Sequence, residues 1–233
     1  MMNHFRLAVC IPSGPMMHTD MALCLINMLL AFPKLKVPGY NSWSCKIINK
    51  RTSLLPKSRQ GLLDDAIYAK CSHALFLDTD QTFPANIPQM LARHGKRIIG
   101  CNVATKIMPS SPTARNHNPN WAGGDVVYSN GKTGVEKVWR LGTGIMLIHL
   151  DTVRALPKPW FATVWNEELQ DFTGEDWYFN EQLEAAGVPI WVDHDASLQV
   201  GHIGNYHFEH KDVRVLTQEE LEADVQSQRR AAA

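Results

Sequence analysis

The chain reads as an α/β protein whose central sheet is mostly parallel and flanked by helices. Three observations predict this. Short, continuous apolar runs closed by polar turns recur along the chain, as strands buried on both faces require. Segments of helical periodicity separate these runs, and alternating strand and helix imply parallel pairing under a cover of helices. At 233 residues, 45% hydrophobic and 20% charged, the chain is long enough for a well-buried core in one domain.

Residues 7–11 (Leu-Ala-Val-Cys-Ile) form the first run, stopped by Pro12-Ser13-Gly14-Pro15. A helix follows from Thr19, a suitable N-cap, to the Phe32-Pro33 break. Residues 46–48 are a short strand. Residues 60–70 place Leu62, Leu63, Ala66, Ile67 and Ala69 in a helical pattern that leads into the strand at 74–77. Residues 86–94 read as helix and 97–101 as strand. From 107 to 134 the pattern fails: Pro, Ser, Asn and Gly dominate, with Trp121 among them. A structureless span of that length in a compact domain is a functional loop or a mobile insertion. Order returns at 137–140, then at the buried strand 144–148. A helix at 175–186 carries Phe179, Leu183 and Ala186 on one stripe, with Gly187 at its C-terminal cap and Pro189 beyond. Residues 190–192 are the next strand, 218–224 a peripheral helix and 226–233 a frayed tail.

Charge and cysteine content exclude some classes. Lys plus Arg number 23 and Asp plus Glu 23, so no net field favours nucleic acid or an anionic membrane, and no specific nucleic-acid binding is expected. The cysteines (Cys10, Cys24, Cys45, Cys71, Cys101) are odd in number, widely spread and without a Cys-x-x-Cys pair. Apolar neighbours make them buried free thiols, which fits a reducing compartment. Residues 21–32 are signal-like in hydrophobicity, yet too short for the ~20 residues a membrane helix needs. They follow a strand and lack a small-residue cleavage site. The expectation is a buried helix, no transmembrane segment and a cytoplasmic protein.

Three acidic or imidazole-bearing motifs stand out. Asp78-Thr79-Asp80 ends the apolar strand 74–77, where carboxylates open into the crevice in which α/β sheets bind ligands. Two acids one residue apart can hold a hard divalent cation against a phosphate. Gly174-Glu175-Asp176 opens a helix, where acids also simply complement the macrodipole. Gly201-His202-Ile203-Gly204 follows the last strand; alone, a His between glycines is a turn residue. His207 and His210 lie nearby, but no matching pair completes a zinc site.

The ordered set carries more. Strand–Asp-x-Asp, then Gly142-Thr143-Gly144 before a strand, then Gly-Glu-Asp opening a helix, then His-x-Gly resembles the GT-A glycosyltransferases. The likeness is to the family 2 type and the compact bacterial and phage enzymes similar to it. It spans roughly residues 6–204 and takes in Ser58-Arg59-Gln60 and residues 157–161 (Pro-Lys-Pro-Trp-Phe). The resemblance implies a single Rossmann-like GT-A domain over 1–213. Its nucleotide-sugar half would be 1–106, a flexible loop 107–136 and the acceptor and catalytic half 137–213, with 214–233 peripheral. Asp80 would ligate Mn²⁺ or Mg²⁺ with the donor's diphosphate oxygens, and His202 would be a later ligand, which leans toward manganese. Asp78 would lie near the donor ribose or sugar, or reach the metal through water.

Pro12 and Ser13 would begin the nucleotide loop, and Arg59 would contact the base or the diphosphate. Thr79 and Gly142-Thr143-Gly144 would line the donor site with them. Asp176 would be the catalytic base and Glu175 would position hydroxyls. The donor would be a UDP- or GDP-linked sugar, and the acceptor a glycan, a lipid-linked, a protein or a small-molecule hydroxyl. The enzyme would be of hexosyltransferase type and inverting. The segment 40–57 lacks the acidic residue that many members use to bind uracil, which leaves the base open. Trp165 and Trp177 are both candidates for an acceptor-side aromatic.

One rival fits the same strand end. Asp78-Thr79-Asp80-Gln81-Thr82 matches the Asp-x-Asp-x-Thr signature of haloacid dehalogenase-type phosphatases, with Asp78 as nucleophile, Asp80 as acid/base and Mg²⁺ as cofactor. That motif ends the first strand of its fold, whereas here about seventy residues precede it. A non-catalytic nucleotide-sugar binder that keeps the fold is a further alternative.

Overall fold

A computed structural model of the chain describes residues 4–220 and 222–223. The first half runs β1 (His4–Ser13), α1 (Thr19–Ala31), β2 (Ser42–Arg51), α2 (Leu55–Tyr68), β3 (His73–Leu77), β4 (Gln81–Thr82), α3 (Ile87–Ala92) and β5 (Ile98–Gly100). The short strands β6 (Arg115–Asn116) and β7 (Asp125–Val126) follow, then β8 (Val135–Val138), β9 (Ile145–His149) and α4 (Leu150–Arg154). The rest comprises β10 (Val164–Asn166), β11 (Asp171–Thr173), α5 (Glu175–Ala185), β12 (Ile190–Asp193), α6 (His194–Ser197), β13 (Gly201–Ile203) and β14 (His207–Phe208).

Seven strands form one sheet in the order β2-β1-β3-β9-β5-β12-β8. β1 pairs in parallel with β2 and β3, and β5 with β12. β9 runs against β3 and β5, and β8 against β12, so the sheet is mostly parallel, as the sequence predicts. The continuous apolar runs are explained by burial on both faces. Along β1, Phe5, Leu7, Val9 and Ile11 pack with Met21, Leu25 and Met28 of α1. Ala8 and Cys10 point the other way, into a second core with Leu62, Leu63 and Ala66 of α2. In β3, Leu75 and Leu77 join the first core, and Ala74 and Phe76 the second. A period of two with no polar face is the mark of a central strand.

Several elements depart from the expectations. β2 has ten residues rather than three, in full register with β1 from His4 opposite Ser42 to Ser13 opposite Arg51. It is an edge strand, with only Ile48 buried, so its polar sequence hides its length. α1 is not a buried helix. Its outer face exposes Leu23, Ile26 and Leu30 at 53%, 51% and 72%. The span 107–134 carries the β6–β7 ladder and is tied down by Asn102, whose side chain bonds Val127 O, Ser129 Oγ and the Ala114 N–H. The described parts of 218–224 are helical, residues 218–220 and 222–223. The tail expected at 226–233 lies outside the described residues. All five cysteines are free, and Cys10, Cys71 and Cys101 are buried. No described helix is long and apolar enough to cross a membrane.

Candidate active site

Asp78, Thr79 and Asp80 leave the end of β3, and backbone hydrogen bonds pin the turn from three sides. The Asp78 N–H donates to Gly144 O (3.0 Å), His18 N–H to Thr79 O (3.1 Å) and Ile203 N–H to Asp80 O (2.7 Å). The segments after β1, before β9 and within β13 thus meet at one point. Gly144 packs closely against the side chains of this turn. A Cβ there would lie 3.2 Å from Gln81 Nε2 and 3.3 Å from Asp78 Oδ2. β1 pairs Cys10 opposite Phe76, which brings Pro12 and Ser13 to the level of this turn.

Arg59 organises the acids. It continues the inward stripe of α2 (Arg59, Leu62, Leu63, Ala66), so helical spacing buries it to 2% exposure above the Phe76 ring. Its Nη2 donates to Asp78 Oδ2 at 3.0 Å and its Nε to Glu175 Oε1 at 3.1 Å. Burial works against the guanidinium charge, but Asp78 and Glu175 outweigh it and push its pKa up. The expectation placed Arg59 against a base or a diphosphate. Two of its nitrogens bond carboxylates, while Nη1 is buried with no hydrogen-bond partner among the described residues. Asp78 Oδ1, Gln81 Oε1 and Thr143 Oγ1, all in this region, are buried and unpartnered too. Gly142 packs against Thr113, where a Cβ would approach to 3.3 Å.

Asp176 enters from the first turn of α5. The inward stripe of that helix is Asp176, Phe179, Asn180 and Leu183, the last three buried. Phe179 stacks on Phe161 (4.7 Å), and Phe161 meets Phe76 edge-on (5.8 Å). This aromatic column joins the start of α5 to the end of β3. Residues 58–60 and 157–161 also touch: the Trp160 N–H donates to Gln60 Oε1 at 2.8 Å. Asp176 Oδ1 accepts from the Trp177 N–H at 2.8 Å. Burial pushes the Asp176 carboxyl up to about 6, with help from Glu175 and against the pull of Arg59 and that N–H. Such a group is a carboxylate near neutrality yet more basic than an ordinary one.

Asp80 faces a different set. Its Oδ1 lies 3.5 Å from His202 Nε2, and Lys106 Nζ is ion-paired with Oδ2. His202 Nδ1 meets Ala104 O at 2.9 Å. A carbonyl only accepts, so that nitrogen carries a proton, and Nε2 is the ring atom that faces Asp80. Burial raises the Asp80 carboxyl, but His202 and Lys106 outweigh it and hold it at about 2. Among the described residues no group of three or more His, Cys, Asp or Glu is arranged to hold a metal ion. Asp80 and His202 make a pair of protein donors, an oxygen and a nitrogen aimed at each other, which suits a divalent cation that takes its remaining ligands from a phosphate.

A cleft of ≈ 1880 Å³ reaches Asp176 and is lined besides by Thr105, Tyr128, Phe172 and Trp177, whereas Arg59, Asp78, Asp80 and His202 do not line it. The Arg140 guanidinium lies over the Trp177 ring at 4.2 Å and over the Trp139 ring at 3.8 Å. Trp165 is exposed on the β10–β11 hairpin, edge-on to Phe172. Sequence reasoning missed Lys106 and Arg140. Lys106 sits in a turn with no pattern, whereas Arg140, a cation between the apolar Trp139 and Leu141 just after β8, is a visible signal.

No protein-family model and no curated protein sequence matches the chain. Among solved structures, A197 from STIV matches with a TM-score of 0.60 and 16% identity, over 93% of this chain and 99% of A197. The fold is shared with A197. GalNAc-T7, solved with UDP, GalNAc and Mn²⁺, matches with a TM-score of 0.49 and 12% identity, over 90% of this chain and 45% of its own. At these identities a likeness to A197 speaks for architecture, and the chemistry rests on the side chains.

Proposed function

We propose that the chain is a metal-dependent GT-A glycosyltransferase that moves a hexose from a nucleotide-diphospho-sugar to an acceptor hydroxyl, inverting the anomeric carbon. One observation carries the reading. Through Arg59, a strand-end carboxylate (Asp78) and a helix-start acid pair (Glu175, Asp176) meet at one end of the sheet, beside a cleft that Asp176 lines. Acids that were only ordered in sequence share a site in space.

In this reading Asp80 and His202 hold Mn²⁺ or Mg²⁺, which when bound supplies positive charge against the departing diphosphate. Asp176 accepts the proton that the acceptor hydroxyl loses as it attacks, and a carboxyl at about 6 suits that task near neutrality. Arg59 holds Asp78 and Glu175 in place. Carboxylates around the electron-poor anomeric carbon favour its oxocarbenium character. Pro12, Ser13, Thr79 and Gly142-Thr143-Gly144 border the nucleotide side. The cleft exceeds the ~300–1,000 Å³ of small-ligand pockets, which leaves room for an acceptor against Asp176. The phosphatase reading fares less well. It needs Asp78 as a free nucleophile, yet Oδ2 is ion-paired to buried Arg59 and Oδ1 is buried.

Two variants test the proposal. Asp80→Asn loses metal-dependent donor binding and turnover together, while Asp176→Asn keeps donor binding and loses turnover by roughly 10²–10⁴-fold. Normal transfer by Asp80→Asn would sink the metal assignment, and normal transfer by Asp176→Asn the base. The anomer formed, read by NMR, decides inversion.

A further inference from the structure

Lys106 belongs to none of the motifs, yet its ammonium is ion-paired with Asp80 Oδ2. Its placement is built by the turn after β5. Ala104 pairs with Pro112, Thr105 N–H donates to Ser111 O at 2.8 Å and Ser111 N–H to Thr105 Oγ1 at 3.0 Å. Ser110 Oγ donates to Thr105 O at 2.8 Å. The Lys106 stem crosses Gly204, where an added Cβ would lie 3.4 Å from Lys106 Cδ. The carbonyl of Ala104, two residues earlier, fixes the His202 ring. Residues 104–106 therefore set both partners of Asp80, the imidazole at Oδ1 and the ammonium at Oδ2.

An ammonium and a divalent cation compete for one carboxylate, because both carry positive charge and repel at contact distance. The ion pair is also displaceable. Its side chains are 24% and 38% exposed, so water and salt screen the pair.

We propose that Lys106 is the resident counter-cation of Asp80, covering the carboxylate in the donor-free protein so that the divalent cation takes hold only together with a diphosphate. This rests on Asp80 being a metal ligand. Without donor the protein then binds the metal weakly, and removing the ammonium uncovers the site.

The test is a titration with Mn²⁺ alone, following the free ion by electron paramagnetic resonance. Wild type, Lys106→Met, Lys106→Arg, Asp80→Asn and the Lys106→Met/Asp80→Asn double variant are compared, each checked for an intact thermal transition. Lys106→Met binds Mn²⁺ at least about tenfold more tightly than wild type, about 1.4 kcal/mol. Lys106→Arg, which keeps a cation there, stays close to wild type, and the double variant loses the gain. Equal binding by Lys106→Met and wild type, abolished in both by Asp80→Asn, overturns the role of Lys106 and leaves the metal site standing. No Mn²⁺ binding by Lys106→Met overturns it as well. Tight binding that survives in the double variant puts the ion elsewhere and removes the underlying metal assignment.

Discussion

Asp176 is held in a state that pulls activity and stability in opposite directions. Burial first, then Glu175, raises its carboxyl from 3.8 to about 6. In its proposed role as base Asp176 works ionised, so kcat/KM climbs as pH rises through about 6 and levels off above it. The folded protein binds this proton more tightly than the unfolded chain does. Its stabilising contribution is therefore complete below 3.8 and lost as pH rises through about 6. Asp176→Asn accordingly raises Tm at about pH 7 and raises it less at about pH 4. An Asn variant with the same increment at both pH values would show that burial does not set this pKa. Arg59 opposes the shift, so Arg59→Met moves the midpoint of the pH profile above about 6. Because it leaves Asp78 and Glu175 unpaired, that variant also loses about 3–5 kcal/mol in denaturant unfolding. An unmoved midpoint would place the Arg59 charge outside the electrostatics of the base.

The elements that position these residues meet with little slack. In β5, a Cβ on Gly100 would stand 2.6 Å from Ile145 O and 3.1 Å from Leu141 Cδ2. A backbone oxygen inside a ladder cannot yield, so Gly100→Ala costs about 1–3 kcal/mol and lowers Tm. An unchanged Tm would mean that the β5–β9 ladder is looser than its register suggests. Much of this framework was legible beforehand for a physical reason. β3, β9 and β12 are buried on both faces and so wear unbroken apolar runs, and the acids at the end of β3 stand out against such a run. The opening of α5 was legible because glycine followed by two acids marks a helix start. What stayed hidden depends on neighbours far along the chain. β2 is polar because only one of its edges is paired. The outer face of α1 looked buried because Leu23, Ile26 and Leu30 are apolar, and composition does not tell which side the sheet takes. Arg59 was noticed, but its commitment to Asp78 and Glu175 required α2 and α5 to share a face of the sheet. Lys106 needed the turn at 104–112 to close.

At the scale of the molecule, the site joins segments from both ends of the chain. The Asp-x-Asp turn is clasped by residue 18 on one side and by β13 on the other, and the cleft wall includes the start of α5. A ligand that bridges these parts stabilises the whole domain rather than one loop. Occupation at 100 times Kd contributes about 2.7 kcal/mol. Each kcal/mol is worth about 2–4 °C in a domain of this size, so Tm rises by roughly 5–11 °C. A thermal-shift series with UDP, GDP and their hexose conjugates, each with and without Mn²⁺, therefore picks out the donor. The shift depends on Mn²⁺ in the wild type, loses that dependence in Asp80→Asn and persists in Asp176→Asn, because the base is not needed to hold the donor. If no nucleoside diphosphate or conjugate moves Tm with Mn²⁺ present, the nucleotide-sugar donor is wrong. A shift that ignores Mn²⁺ keeps the donor and discards the metal, and then the charge opposite the leaving diphosphate falls to side chains such as Lys106, which is ion-paired with Asp80.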